Sequence, residues 1–108
     1  MVLTGIDIVD VKRIKEDYEN IERKVFCAEE IEYANKFENP YVHLAGIYAA
    51  KEAIRKVYSG RTPADMKRLR IGHTPEGEPF VYCYRSVSLS ISHTEDLAVA
   101  VAVLVRED

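Results

Sequence analysis

Three groups of residues have types and spacings that could do chemistry. Asp7 stands between Ile6 and Ile8 in the apolar stretch VLTGIDIVD, Glu52 and Lys56 lie four apart in KEAIRK, and Ser88, Ser90, Ser92 and His93 make up SLSISH with two apolar residues. Taken singly, each has an ordinary reading. Asp7 could cap a following helix, Glu52 and Lys56 could form an exposed ion pair in the favourable order, the alternating serines could mark a half-exposed strand, and His93 could belong to a turn. Taken together, they suit phosphate chemistry. One carboxylate at a strand end and another on a helix match the needs of magnesium, which takes oxygen ligands and commonly only one or two carboxylates besides waters and substrate phosphates. Lys56, one turn from Glu52, would bring positive charge to the same phosphates, and the serines and His93 would add donors. The implied ligand is a phosphate ester.

The elements that must position these residues follow from the pattern. Residues 2–9 predict a strand with Asp7 near its end, and DVKRIKEDYENI predicts a short amphipathic helix with Asp10 as its N-cap and Val11, Ile14 and Tyr18 on one face. AEEIEYANKF predicts a second helix with Ile31, Ala34 and Phe37 inward, ended by Asn39-Pro40. A long helix is expected from about Val42 to Tyr58, stopped by Gly60. Leu44, Ile47, Ala50, Ile54, Val57 and Tyr58 form its apolar stripe. Ala45, Ala49, Glu52 and Lys56 line nearly the opposite side, where alanines would let another element approach and set Glu52 and Lys56 in a crevice. RLRIGHT, FVYCY, VSLSIS and LAVAVAVLV read as strands, with a turn at PEGEP. Helices followed by consecutive strands indicate an α+β fold with an antiparallel sheet and one long and two shorter helices.

The chain of 108 residues is expected to form one domain, 1–108. With 47% hydrophobic and 31% charged residues it reads as an ordinary globular protein, and 15 basic against 18 acidic residues argue against a general nucleic-acid binder. Cys27 and Cys83 lack zinc-site spacing and read as reduced thiols. The longest apolar run, LAVAVAVLV, is about half the length that spans a bilayer. No secretory leader is apparent, so no membrane association and a cytoplasmic location are expected. Walker A, GxGxxG and kinase signatures are absent, and nothing resembles a nucleophile elbow.

The stretches GIDIVDVKRI, VFCAEE, LAGIYAAKEAIRKVYSG, GEP and LSISHTEDLAVAVAV, in this order, resemble the holo-acyl-carrier-protein synthases, the short class of 4′-phosphopantetheinyl transferases. The resemblance implies magnesium-dependent transfer of 4′-phosphopantetheine from coenzyme A to a serine of an apo acyl carrier protein, releasing adenosine 3′,5′-bisphosphate, in fatty-acid biosynthesis or another carrier pathway. It carries the metal carboxylates to Asp7 and Glu52 and a catalytic role to Lys56. Coenzyme A binding falls to Lys56, Ser92 and His93, and contacts with the acidic carrier to Arg13 and Lys24. It implies a homotrimer with sites between subunits, so that His93 and the serines before it serve a neighbour's coenzyme A. A water held by the metal or by Glu52 is the expected base. Two departures stand out: Ile47 occupies the place of an arginine in LAGRFAAKEA, and the helix usual between the segments GEPFVYCY and SVSLSIS is missing. They leave a noncatalytic relative that binds coenzyme A or a carrier as the alternative.

Overall fold

The computed structural model describes residues 1–84 and 86–107. Strand β1 (Val2–Asp10) leads into α1 (Val11–Glu16), whose first turn is capped by the Asp10 carboxylate accepting from the Lys12 N–H at 3.0 Å. The expected single helix is in fact two, because Asp17 leaves helical geometry and α2 (Tyr18–Val25) starts afresh. Helix α3 (Ala28–Ala34) follows, and then α4 (Pro40–Val57), with Pro40 in its first turn, where the missing N–H leaves no bond unmade. Gly60, at φ 79°, donates its N–H to the Arg55 carbonyl and ends the run as expected. A single 3₁₀ turn (Met66–Arg68) connects to β2 (Ile71–His73), β3 (Pro79–Val81), β4 (Ser88–His93) and β5 (Leu97–Val105).

The α+β class holds, and the strands divide into two sheets. β1, β5 and β4 form an antiparallel sheet with β5 central, while β2 and β3 pair as a separate ribbon. Six residues, 82–87, join β3 to β4, and no helix occurs there among the described residues; residue 85 lies outside them.

Register explains the small residues. Asp7 lies opposite Ala100, which lies opposite Ile91 on β4, and Gly5 lies opposite Ala102. Ala98, Ala100 and Ala102 are fully buried on the face toward α4, where Ala45, Ala49 and Ala53 are buried as well. Alanine on both surfaces lets helix and sheet close up, as the helix pattern implied. α4 crosses the strands obliquely, with Gly46 against Ile91 of β4 and Ala53 against Gly5 of β1. Those seven residues of helix advance ~10 Å, close to the width of two strand spacings.

The other face of the sheet is bare. Val2, Ile6 and Ile8 are 61%, 60% and 63% exposed, and Leu97 and Val105 continue the surface on β5. The flank of α4 away from the sheet carries the rest of the core, with Phe26, Ile14, Leu69, Ile71 and Val81 all buried. Lys51 sits in this flank, fully buried.

Candidate active site

Asp7 follows from strand parity. On β1 the odd positions Gly5, Asp7 and Val9 turn toward α4 and the even positions Ile6 and Ile8 turn away. The strand therefore keeps a strict alternation, but its carboxylate is on the helix side and its large aliphatics are outside. Gly5, lacking a side chain, lets β1 rest on the α4 backbone, and Asp7 two residues on meets the next turn of the helix. There Lys56 Nζ donates to Asp7 Oδ1 at 3.2 Å and to the Ile6 carbonyl at 2.7 Å. Glu52 lies one turn earlier on the same face of α4 and pairs with Arg55 at 3.6 Å. Its carboxylate and that of Asp7 are each partly open to solvent.

The structure thus brings Asp7, Glu52 and Lys56 together, and it adds Arg13. The Arg13 guanidinium donates to the Tyr48 hydroxyl at 3.3 Å and packs over the Tyr48 ring at 5.3 Å. Tyr48 is one turn before Glu52, so it fixes an exposed cation of α1 beside the acidic pair. Nothing in the sequence singled out Tyr48; its signal was its spacing of four from Glu52. Lys24 is exposed in the last turn of α2, with no side-chain contact to this cluster among the described residues.

Ser92 and His93 lie elsewhere. Alternation along β4 sends Ser88, Ser90 and Ser92 to the bare face, with Ser92 in register with Val99 and hence Ile8. His93 turns to the helix side, near the start of α4, its ring 5.2 Å from that of His43. His43 and Glu52 are nine residues apart on α4, which sets them on opposite flanks and ~13 Å apart along the axis. The two halves of the expected site are therefore separated within one chain.

Between these halves a buried ion pair stiffens α4. Lys51 Nζ donates to Glu30 Oε1 at 2.7 Å, to the Met66 carbonyl at 3.0 Å and to the Val25 carbonyl. Glu30 also accepts from the Cys27 N–H at 2.9 Å and the Ile71 N–H at 2.8 Å. Both side chains are 0% exposed, and burial pulls the Lys51 ammonium below its ordinary range against the opposing pull of Glu30. The pair locks α3, β2 and the 3₁₀ turn onto the residue next to Glu52. Its sequence signal was Lys51 itself, four after Ile47 and three before Ile54 in the apolar stripe.

The donor chemistry fits magnesium. Asp7 and Glu52 offer hard carboxylate oxygens with solvent-facing room for waters and phosphate oxygens. No cluster of three or more His, Cys, Asp or Glu of the kind that would fully enclose a metal occurs among the described residues. No helix among them is long and apolar enough to cross a membrane.

Comparison with known proteins places nearly the whole chain in a family. Residues 4–102 match the sequence profile of the 4′-phosphopantetheinyl transferase superfamily. The chain is 33% identical to a holo-[acyl-carrier-protein] synthase of Caldanaerobacter subterraneus subsp. tengcongensis, over 96% of this chain and 94% of that one. It is 36% identical to a synthase of the same name from Thermodesulfovibrio yellowstonii, over 93% and 95%. A crystal structure of a holo-(acyl-carrier-protein) synthase from Bacillus anthracis in complex with coenzyme A (3′,5′-ADP) superposes with a TM-score of 0.80 at 27% identity, covering 94% of each chain.

Proposed function

The chain belongs to the 4′-phosphopantetheinyl transferase superfamily, and from that membership and the Asp7–Glu52–Lys56 cluster we propose that it is a magnesium-dependent holo-acyl-carrier-protein synthase. It moves 4′-phosphopantetheine from coenzyme A to a serine of an apo acyl carrier protein. Enzymes of this name are its relatives at 33% and 36% identity, and the Bacillus anthracis structure contains coenzyme A. The observation that carries the reading is the delivery of the β1 carboxylate to the helix face bearing Glu52 and Lys56.

Asp7 and Glu52 would hold the magnesium ion, which when bound neutralises pyrophosphate charge and orients the phosphorus. The serine hydroxyl of the carrier attacks the phosphorus bearing the pantetheine arm. The bond from that phosphorus to the bridging oxygen breaks, and adenosine 3′,5′-bisphosphate leaves. A water hydrogen-bonded to Glu52 takes the serine proton. Lys56, steered by Asp7 and the Ile6 carbonyl, presents its ammonium to the leaving phosphate. Arg13, braced on Tyr48 beside Glu52, and Lys24 on α2 attract the acidic helix of the carrier.

The assembly in this reading is a homotrimer. Two features support it: the contiguous exposed aliphatic face of Val2, Ile6, Ile8, Leu97 and Val105, and the separation of His93 from Glu52 on opposite flanks of α4. A second and third copy cover that face, and His93 with Ser92 serves coenzyme A held by a neighbour's carboxylates.

The test is incubation with apo carrier protein, coenzyme A and magnesium followed by intact mass. The carrier gains one phosphopantetheine arm, and the gain disappears with a chelator. An unmodified carrier with well-folded protein and magnesium present would overturn the reading.

A further inference from the structure

A cleft at the start of α4 gathers all three histidines of the chain. A cavity of about 160 Å³ is lined by His43 and Ile47 of α4, His73 of β2, Ile91 and His93 of β4, and Tyr33 after α3's midpoint. The His43 ring stacks on Phe37 at 3.7 Å and stands edge-on to His93 at 5.2 Å. The His73 ring stacks on Tyr33 at 3.6 Å, nearly parallel. None of the three imidazoles makes a hydrogen bond or ion pair among the described residues. No carboxylate among the described residues lines this cavity.

We propose that His43, with His93 and His73, forms a proton-gated phosphate site, so that coenzyme A binding takes up protons and tightens as pH falls from about 7.5 toward 6. The proposal rests on the coenzyme A reading above and names how that site is regulated. Ile47 fills the place beside the cleft with a fully buried aliphatic chain, leaving imidazoles as the cationic groups available there. A fixed arginine would hold its charge across this range, whereas an imidazole gains it only when an anion repays the desolvation.

The charged groups around the cleft lie at its rim and on its far side, outside the cavity that would take the phosphate. His43 faces His93 and His73 within the cleft and Glu38 and Glu95 at its outer rim. His73 faces Glu29, Glu32 and Lys36 on its far side. Burial, and then His93, hold the His43 ring below its ordinary range, and burial followed by His43 pushes His73 down to about 4. Burial thus keeps the His43 and His73 rings neutral when the cleft is empty, with room to gain protons when a phosphate arrives.

The test is calorimetric titration of the full chain with coenzyme A and magnesium at pH 6.0, 6.7 and 7.5, each in two buffers of different ionisation enthalpy. Wild type takes up protons on binding, and its affinity rises about fivefold or more as pH falls across this interval, within the tenfold per pH unit that one linked proton allows. His43→Phe keeps a ring on Phe37 and loses most of that uptake and slope; the ligand's own phosphate titration is common to both proteins and cancels. His43→Gln serves as the second variant should the phenylalanine disturb folding. Equal proton uptake in wild type and both variants, or none in wild type, would overturn the proposal while leaving coenzyme A binding intact. No coenzyme A binding to wild type at any pH would overturn the functional reading with it.

Discussion

Replacing Gly5 by alanine should damage catalysis more than it damages the fold. A Cβ at Gly5 would stand 2.1 Å from the Ala53 carbonyl oxygen and 3.1 Å from Lys56 Cβ. Carbon to carbonyl oxygen needs about 3.3 Å, so β1 and α4 must separate by about 1.2 Å. Asp7 is two residues along the same strand and Glu52 one residue before Ala53, so this opening falls directly on the carboxylate pair. Overpacking of this size lowers stability by about 1–3 kcal/mol. A displacement of about 1 Å in reacting groups lowers rate by about 100-fold, or ~2.7 kcal/mol in the barrier. Urea midpoints and steady-state transfer at saturating coenzyme A separate the two effects. Gly60→Ala is the control: nothing approaches a Cβ there, but φ of 79° strains alanine, by about 1 kcal/mol. It should lose similar stability and keep kcat. A Gly5→Ala protein with wild-type kcat would refute the claim that close packing of β1 on α4 sets the site.

Asp7→Asn and Glu52→Gln should each lower kcat/KM by about 100-fold or more with the circular dichroism spectrum unchanged, and a magnesium titration should show weakened activation. Lys51→Met leaves the fully buried Glu30 carboxylate without its cation and should cost about 3–5 kcal/mol by urea denaturation; a midpoint equal to wild type would remove the pair from the scaffold. His73, held near 4 against an ordinary 6.5, binds fewer protons folded than unfolded, so its contribution is fully present above pH 6.5 and is lost as pH falls toward 4. For a half-buried ring, discounted for solvent screening, that is about 1 kcal/mol, and His73→Phe should flatten the pH dependence of stability by this amount. Ile6→Lys, on the bare face, should yield a monomer by light scattering with little transfer activity, whereas a fully active monomer would sink the shared-site reading.

The sequence made the candidate site residues legible sooner than the architecture. Asp7, Glu52 and Lys56 were found from residue types and spacing because one helical turn fixes the second and third, and an acid in an apolar strand draws notice wherever it points. Its direction was not legible. Ile6 and Ile8 look like core, and only the pairing of β1 with β5 and the contact of Gly5 with Ala53 show that they face outward. The alanines of α4 were read correctly as a close-approach surface because small residues at helical spacing have few other uses. The break at Asp17 was missed, since the apolar period of Val11, Ile14 and Tyr18 runs through it unchanged. The division of the strands into a sheet and a separate ribbon was missed because pairing partners are set by tertiary contact and strand propensity says nothing of them.

The same limits account for the histidines. His93 was noticed beside the serines, and its neighbour in sequence, Ser92, was assigned with it. Strand alternation sends the two to opposite faces of the sheet, and His93 instead joins His43, fifty residues earlier, and His73, twenty earlier. A sequence shows which residues share a helix face or a strand face, because those periods are local. It does not show which faces meet. Here α4 carries the acidic pair over β1 at one end and His43 over β4 at the other, and the ~13 Å between them along the helix is more than these short side chains can span. A ligand that needs both a carboxylate-held metal and the histidine cleft must either stretch across α4 or lie between two copies of the chain. The helix and sheet are packed through glycine and alanine at Gly5 and Gly46, so no path runs between them, and in the proposed assembly the two halves are joined across copies instead. In the proposed trimer the bare aliphatic face of β1 and β5 is the surface on which copies meet, and the two half-sites become one.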